Sequence, residues 1–307
     1  AAIAETLQIW KDILPPGVVN MVLGKSSEIG DHFINHPGFN KLSFTGSVEA
    51  GRKIGAAAGN NIIPATLELG GKSASICFDD AEIDRYVMKS CMGILNSAGE
   101  ICVGNSRLLV QDTIYDQVLA LLKEKFEKAT LGDPMDPATQ IGPITTEAQM
   151  NKILEYIEAG KAEGATLVTG GYRYTENGCA DGYYIKPTIF ADVKPGMKIE
   201  QEEIFGPVVC VMKFHDEDEA LAIANDTEYG LAGAVWTNNL FRSIRFAQEM
   251  ECGILWINDY LDTGLGQPFG GVKNSGIGRE VNKLALEHYS RVKNICFATD
   301  HTYPPLY

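Results

Sequence analysis

Lys41-Leu-Ser-Phe-Thr-Gly-Ser47 is a short apolar run that ends in a Thr-Gly-Ser turn, and the residues behind it, Val48 to Ala58, have helical spacing. Ser47 stands immediately before that helix and Glu49 falls in its first turn, so Ser47 is placed as the N-cap. The free N–H groups of such a helix start favour an anion above the strand end. Ala65-Thr-Leu-Glu68 reads as the next strand and closes on Leu69-Gly70-Gly71. Strand, helix and strand in this order are the unit of an α/β fold.

The alternation extends both ways. Upstream, Gly17-Val-Val-Asn-Met-Val-Leu23 is an apolar run ending at Gly24, which suits a buried parallel strand. Downstream, strands are predicted at Ser75–Phe78, Ser106–Gln111, Ala165–Thr169, Tyr183–Phe190, Ala232–Trp236 and Gly253–Ile257. Helices are predicted from Asp79 to Leu95, Tyr115 to Lys128, Thr145 to Glu163, Glu217 to Ala224 and Asn239 to Glu249. Gly266 to Gly278 carries five glycines; it reads either as a surface loop or as backbone shaped to approach a ligand.

With 307 residues, 45% hydrophobic and 21% charged, the chain can bury a sizeable core and form two domains. Its formal net charge of −14 repels phosphate backbones and argues against nucleic acid as a partner. No apolar run approaches the roughly 18 residues of a membrane-spanning helix. The opening AAIAETLQIWKD lacks the basic start of a secretory signal. Seven scattered cysteines, an odd count with no CxxC pair, suit free thiols in a cytoplasmic, reducing setting. The five histidines make no metal-like spacing with them, so no metal site is expected.

Two residues stand where chemistry could be built. Cys102, in Asn96-Ser-Ala-Gly-Glu-Ile-Cys-Val-Gly-Asn-Ser-Arg107, lies between a helix and a strand, where backbone N–H groups can lower a thiol's pKa or hold an oxyanion. From spacing alone, a lone cysteine reads first as an inert, small buried hydrophobe. Glu68 ends a strand, on the side where α/β proteins bind ligands, though it could simply leave the sheet paired with Lys72.

The order of the motifs is more specific than any one of them. Phe44-Thr-Gly-Ser47, Leu67-Glu-Leu-Gly-Gly-Lys-Ser73, Gly99-x-x-Cys102, Glu202-Glu-Ile-Phe-Gly-Pro207 and Pro268-Phe-Gly-Gly271 with Ser275-Gly-Ile-Gly-Arg-Glu280 follow one another. In this order and spacing they resemble the signatures of the NAD(P)-dependent aldehyde dehydrogenase superfamily, over essentially the whole chain. The resemblance implies oxidation of an aldehyde to a carboxylic acid with NAD or NADP, through a cysteine thiohemiacetal and a thioester. Cys102 would be the nucleophile and Glu68 the general base. Gly46, Ser47 and Gly51 would line the pyrophosphate, the Leu69 backbone would meet the carboxamide, Glu203 would hold the nicotinamide ribose and Phe205 would pack beside it.

It implies an aldehyde dehydrogenase-like α/β architecture too. Residues 1–69 would be the remnant of a dinucleotide-binding domain and 70–262 the catalytic domain. Residues 263–286 would return to the first domain, and 287–307 would be an oligomerisation tail, with Asn294–Ala298 as its strand, giving a homodimer or homotetramer. Glu100 departs from the glutamine usual in the family, and it would disfavour the thiolate if it pointed inward. The chain also starts after the family's first nucleotide-domain strands, a stretch that carries the second oxyanion donor. A rival reading is therefore a catalytically impaired fragment with a structural or partner-binding role, and another is a nucleotide-independent thiol esterase.

Overall fold

The computed structural model describes residues 2–299. In chain order its elements are α1 (Ala2–Trp10), α2 (Ser26–Ile34), β1 (Leu42–Thr45), α3 (Val48–Asn60), β2 (Ala65–Glu68), β3 (Ala74–Cys77), α4 (Ile83–Leu95), β4 (Arg107–Gln111) and α5 (Tyr115–Lys128). There follow α6 (Glu147–Ala162), β5 (Thr166–Thr169), β6 (Thr188–Ala191), α7 (Lys198–Gln201), β7 (Val208–Phe214), α8 (Glu217–Asn225), β8 (Tyr229–Gly230), β9 (Ala232–Trp236), α9 (Leu240–Glu249) and β10 (Ile254–Ile257). The chain closes with β11 (Val272–Lys273), β12 (Gly276–Ile277) and α10 (Lys283–His288).

The larger sheet has seven strands in the order β10-β9-β3-β4-β7-β6-β5, all parallel except β5. Its inner strands are mostly apolar because both faces are covered. Alternate residues feed two cores: Ile76, Leu109, Cys210 and Val235 face α6, α8 and α9 through Ile153, Ala220 and Phe246, while Cys77, Leu108, Val211 and Trp236 face α4 and α5 through Tyr86 and Val118. The smaller sheet is β1-β2-β12, with β2 in the middle. Thr45 and Gly276 flank Glu68 from its two neighbours. Residues 69–73 bridge the sheets, since β2 belongs to one and β3 to the other.

Two expected strands are absent. Gly17–Leu23 has no ladder and lies in the open, with Leu23 80% exposed. β1 pairs only with β2, so nothing places a neighbour beside this run, and an apolar strand without sheet neighbours has no backbone partners to keep it extended. Asn294–Ala298 likewise makes no strand, and Phe297 is 84% exposed. Its expected partner was a neighbouring subunit's sheet. The end of the proposed oligomerisation tail, 300–307, lies outside the described residues. Among the described residues no helix is long and apolar enough to cross a membrane.

Candidate active site

The site forms where residues 69–73 cross between the sheets. Glu68, at the end of β2, is 8% exposed, and neither carboxylate oxygen has a hydrogen-bond partner. Gly270, held at φ +148, comes so close that a Cβ there would lie 2.8 Å from Glu68 Oε1. Burial in this glycine-walled niche, reinforced by the Glu280 carboxylate and opposed by Arg279, pushes the Glu68 carboxyl up to about 7. A carboxyl in that position changes charge near neutral pH, as a general base must. The glycine-rich stretch is thus more than a surface loop. Its Gly276 (φ +145) packs against the Leu67 carbonyl, and β12 forms there beside β2.

Cys102 is half-buried and sits beyond a kink at the end of α4, where Ser97, Ala98 and Gly99 all have positive φ. A Cβ on Gly71 would fall 2.5 Å from the Cys102 carbonyl oxygen, so the Leu69-Gly-Gly turn runs directly against the backbone of the thiol residue. Burial, then Glu203, then Glu68 hold the thiol above its ordinary value, against backbone hydrogen bonds at Val103 and Cys102 that favour the thiolate. A thiol so placed needs a base to take its proton. Glu100 is no part of this field: its carboxylate turns to Thr145, accepting from the backbone N–H at 3.0 Å and from the hydroxyl at 2.6 Å.

Of the residues expected around a cofactor, Gly46, Gly51 and Glu203 touch residues 68–71. Ser47 caps α3, its Oγ accepting from the Ala50 N–H at 3.3 Å. Gly46 and Gly51 carry packing duties. The Gly46 N–H donates to the Glu68 carbonyl at 3.0 Å, and a Cβ would strike the Phe44 ring. The Gly51 N–H donates to Ser47, and a Cβ would strike the Leu69 side chain. Leu69 is buried and its N–H donates to the Ser275 carbonyl at 2.9 Å. Glu203 accepts from the Gly71 N–H at 3.0 Å, and a Cβ on Gly70 would collide with its Oε2. Burial raises the Glu203 carboxyl, while the Gly71 N–H and Lys152 lower it. Phe205 has φ +57 and is half-buried.

A cleft of about 210 Å³ runs along α3 past Val48, Gly51, Arg52, Leu69 and Lys273. The cleft borders the first turn of α3 and carries two cations, Arg52 and Lys273, a combination that suits a pyrophosphate-bearing ligand. No three His, Cys, Asp or Glu side chains among the described residues are placed to hold a metal ion.

Several positioning residues act through contacts that no motif announces, although Ser275 itself opens the quoted Ser275–Glu280 motif. Gln149 Nε2 donates to the carbonyls of Ile204 (3.0 Å) and Phe205 (2.8 Å), and Lys152 Nζ to that of Glu203 (3.3 Å). The only sequence sign was their i, i+3 spacing on α6. Ser275 Oγ donates to the Gly70 carbonyl at 2.7 Å and accepts from the Gly230 N–H at 2.9 Å. Arg107, buried with Glu200 at 3.0 Å, also donates to the carbonyls of Lys72, Ile223 and Ala224 and so anchors the far end of the bridging turn. Tyr260 donates to the Val103 carbonyl at 2.5 Å, next to the thiol.

The profile of the aldehyde dehydrogenase family matches residues 1–295. A betaine aldehyde dehydrogenase of Rhizobium johnstonii is 48% identical over 282 residues, which are 92% of this chain and 58% of that protein. The betaine aldehyde dehydrogenase of Staphylococcus aureus in complex with NAD+ superposes with a TM-score of 0.90 at 40% identity, over 93% of this chain and 57% of that one. A second structure of that protein with NAD+ gives 0.91, again at 40% identity and with the same shares of the two chains. The chain thus spans less than two thirds of the length of these relatives. With the motifs in their family order and the fold matched closely, the chain belongs to the aldehyde dehydrogenase family.

Proposed function

We propose that this chain carries the catalytic centre of an NAD(P)-dependent aldehyde dehydrogenase, with Cys102 as nucleophile and Glu68 as general base. One observation carries the reading: Glu68 is a buried carboxylate with no hydrogen-bond partner, poised near neutrality and felt by the Cys102 thiol. Glu68 takes the thiol proton as sulfur attacks the aldehyde carbon, and the carbonyl oxygen becomes an alkoxide. The backbone N–H of Cys102 donates to that oxygen. When bound, a nicotinamide held by Leu69, Glu203 and Phe205 would supply the hydride acceptor, and loss of hydride from the former aldehyde carbon would leave a thioester on Cys102. Glu68, having released the thiol proton to solvent, deprotonates the water that adds to the thioester carbonyl, and the C–S bond breaks to release the carboxylic acid and return the thiolate.

Ser47 and the α3 start would hold the pyrophosphate, with Gly46 and Gly51 shaping that corner. Leu69, Glu203 and Phe205 would hold the nicotinamide end, and Gln149 and Lys152 would keep the loop of Glu203 and Phe205 in place. The division at 69/70 and 262/263, a cytoplasmic setting and a homo-oligomer belong to this reading. Betaine aldehyde is the first substrate to try, because the relatives are named for it.

The test is the growth of reduced-nicotinamide absorbance with betaine aldehyde and other aldehydes, in the parent chain and in Cys102→Ser. Aldehyde-dependent absorbance that Cys102→Ser abolishes is expected. Equal rates in both proteins would refute the role of Cys102. No nicotinamide reduction, with Cys102-dependent hydrolysis of an activated ester, would replace the reading by a thiol esterase. Neither activity would favour a partner-binding protein.

A further inference from the structure

The turn that delivers Cys102 is costly to form. Ser97 (φ 51), Ala98 (φ 54) and Gly99 (φ 77) lie consecutively in the left-handed region, and two of the three carry a Cβ. Such backbone persists only where its surroundings over-determine it. Ala98 is buried, Glu100 N–H closes a turn on the Ser97 carbonyl at 3.0 Å, and Gly99 presses so closely on Gly206 that a Cβ there would fall 2.1 Å from its carbonyl carbon. The remaining hold on this side is Glu100, whose Oε2 accepts from both the N–H and the hydroxyl of Thr145. One side-chain oxygen accepting from two donors of the same residue makes a clasp.

Thr145 is the residue before Thr146, the N-cap of α6, whose side chain accepts from the Gln149 N–H. One turn into that helix, Gln149 fastens the carbonyls of Ile204 and Phe205, and Lys152 reaches that of Glu203. Gly206, in the same loop, is the backbone against which Gly99 packs. The start of α6 therefore grips the thiol-bearing turn through Glu100 and the 203–206 loop through Gln149.

We infer that Glu100 is a positioning residue: its clasp on Thr145 holds the strained 97–102 turn in register with the 203–206 loop and so sets the placement of the Cys102 sulfur and N–H. The inference rests on the reaction proposed above. The acceptor matters here rather than the charge. A glutamine can offer its amide oxygen to the same two donors, whereas an alanine offers nothing.

The test uses the full chain with Glu100→Ala, Glu100→Gln and Thr145→Val. Iodoacetamide labelling of Cys102 is followed by peptide mass spectrometry, with exposed Cys296 as internal reference, and kcat and KM are measured where turnover is found. In Glu100→Ala the labelling rate of Cys102 relative to Cys296 is expected to change, and kcat to fall, by about tenfold, the scale set by small misplacements of reacting groups. Glu100→Gln should restore both to within about twofold. Thr145→Val should move both in the same direction as Glu100→Ala, and it takes the place of that variant if Glu100→Ala fails to fold. A folded Glu100→Ala with parental labelling and kcat would overturn the inference, as would a Glu100→Gln no better than alanine. A parent chain without nicotinamide reduction counts against the reaction. The labelling comparison still decides the role of Glu100 in that case.

Discussion

Two buried acidic groups in this molecule are treated in opposite ways. Glu200 is paired with Arg107 at 3.0 Å, both side chains about 1% exposed, and the guanidinium also satisfies three backbone carbonyls. Glu68, at the other end of the turn that Arg107 anchors, accepts no hydrogen bond at all. The first arrangement fixes structure, since a buried charge is tolerable only when paired. The second leaves an acid whose proton is cheap to add and to remove. In the proposed reaction, the contrast is that between a strut and a working group.

The largest expected effect would sharpen that contrast. Glu68→Gln should reduce the aldehyde-dependent rate by about 10²–10⁴-fold, the usual contribution of a positioned base. The parent rate should rise with pH through about 7 as Glu68 ionises, and the variant should lose that rise. Stability should respond in the other direction. The folded carboxyl titrates near 7 instead of 4.5, so the folded state binds more protons between those values and loses stability as pH climbs through the window. Glu68→Gln, a permanent mimic of the protonated form, should match the parent below pH 4.5. Above pH 7 it should exceed the parent by roughly 1–3 kcal/mol in denaturant unfolding. A variant that is less stable above pH 7 would break the comparison.

Arg107→Met should do the reverse. It strands Glu200 and three carbonyls in the core, and a loss of about 3–5 kcal/mol is expected by chemical denaturation. Unchanged stability would mean that the pair is no strut. The smallest effect tests the turn between the two groups. At Gly71 a Cβ meets the Cys102 backbone carbonyl, which cannot move alone, whereas at Gly70 it meets the end of the Glu203 side chain. Gly71→Ala should therefore lower Tm and kcat more than Gly70→Ala, whose main effect is expected on the KM for nucleotide. The opposite ranking, read by thermal melts and steady-state rates, would refute this assignment of the turn.

Much of the fold was legible because its signals are local. The spacing from Tyr115 to Lys128 and the apolar run Ala232–Trp236 form a helix and a strand over those same residues. Ser47 caps α3, as a serine before a periodic run should. The Gly17–Leu23 run reads as a strand by the same local logic and is none, because a strand also needs a neighbour. At the site, Glu68, Leu69 and Glu203 could be read from their motifs. Gln149 and Arg107 lie in no motif, and the bond of Ser275 to Gly70 is not legible from its motif, since each acts on backbone tens to more than a hundred residues away.

By itself, then, the amino-acid order determined the alternation of strands and helices, the succession of motifs and the two side chains, Cys102 and Glu68, to which the proposed chemistry is assigned. Only the tertiary structure decided that Glu68 would be left without a partner, that Glu100 would turn to Thr145 instead of the thiol, and that Gly51 would serve Leu69. The reason is physical. Which oxygen meets which donor, and how much water a carboxylate keeps, depend on residues brought together from distant parts of the chain, and no local pattern encodes that meeting.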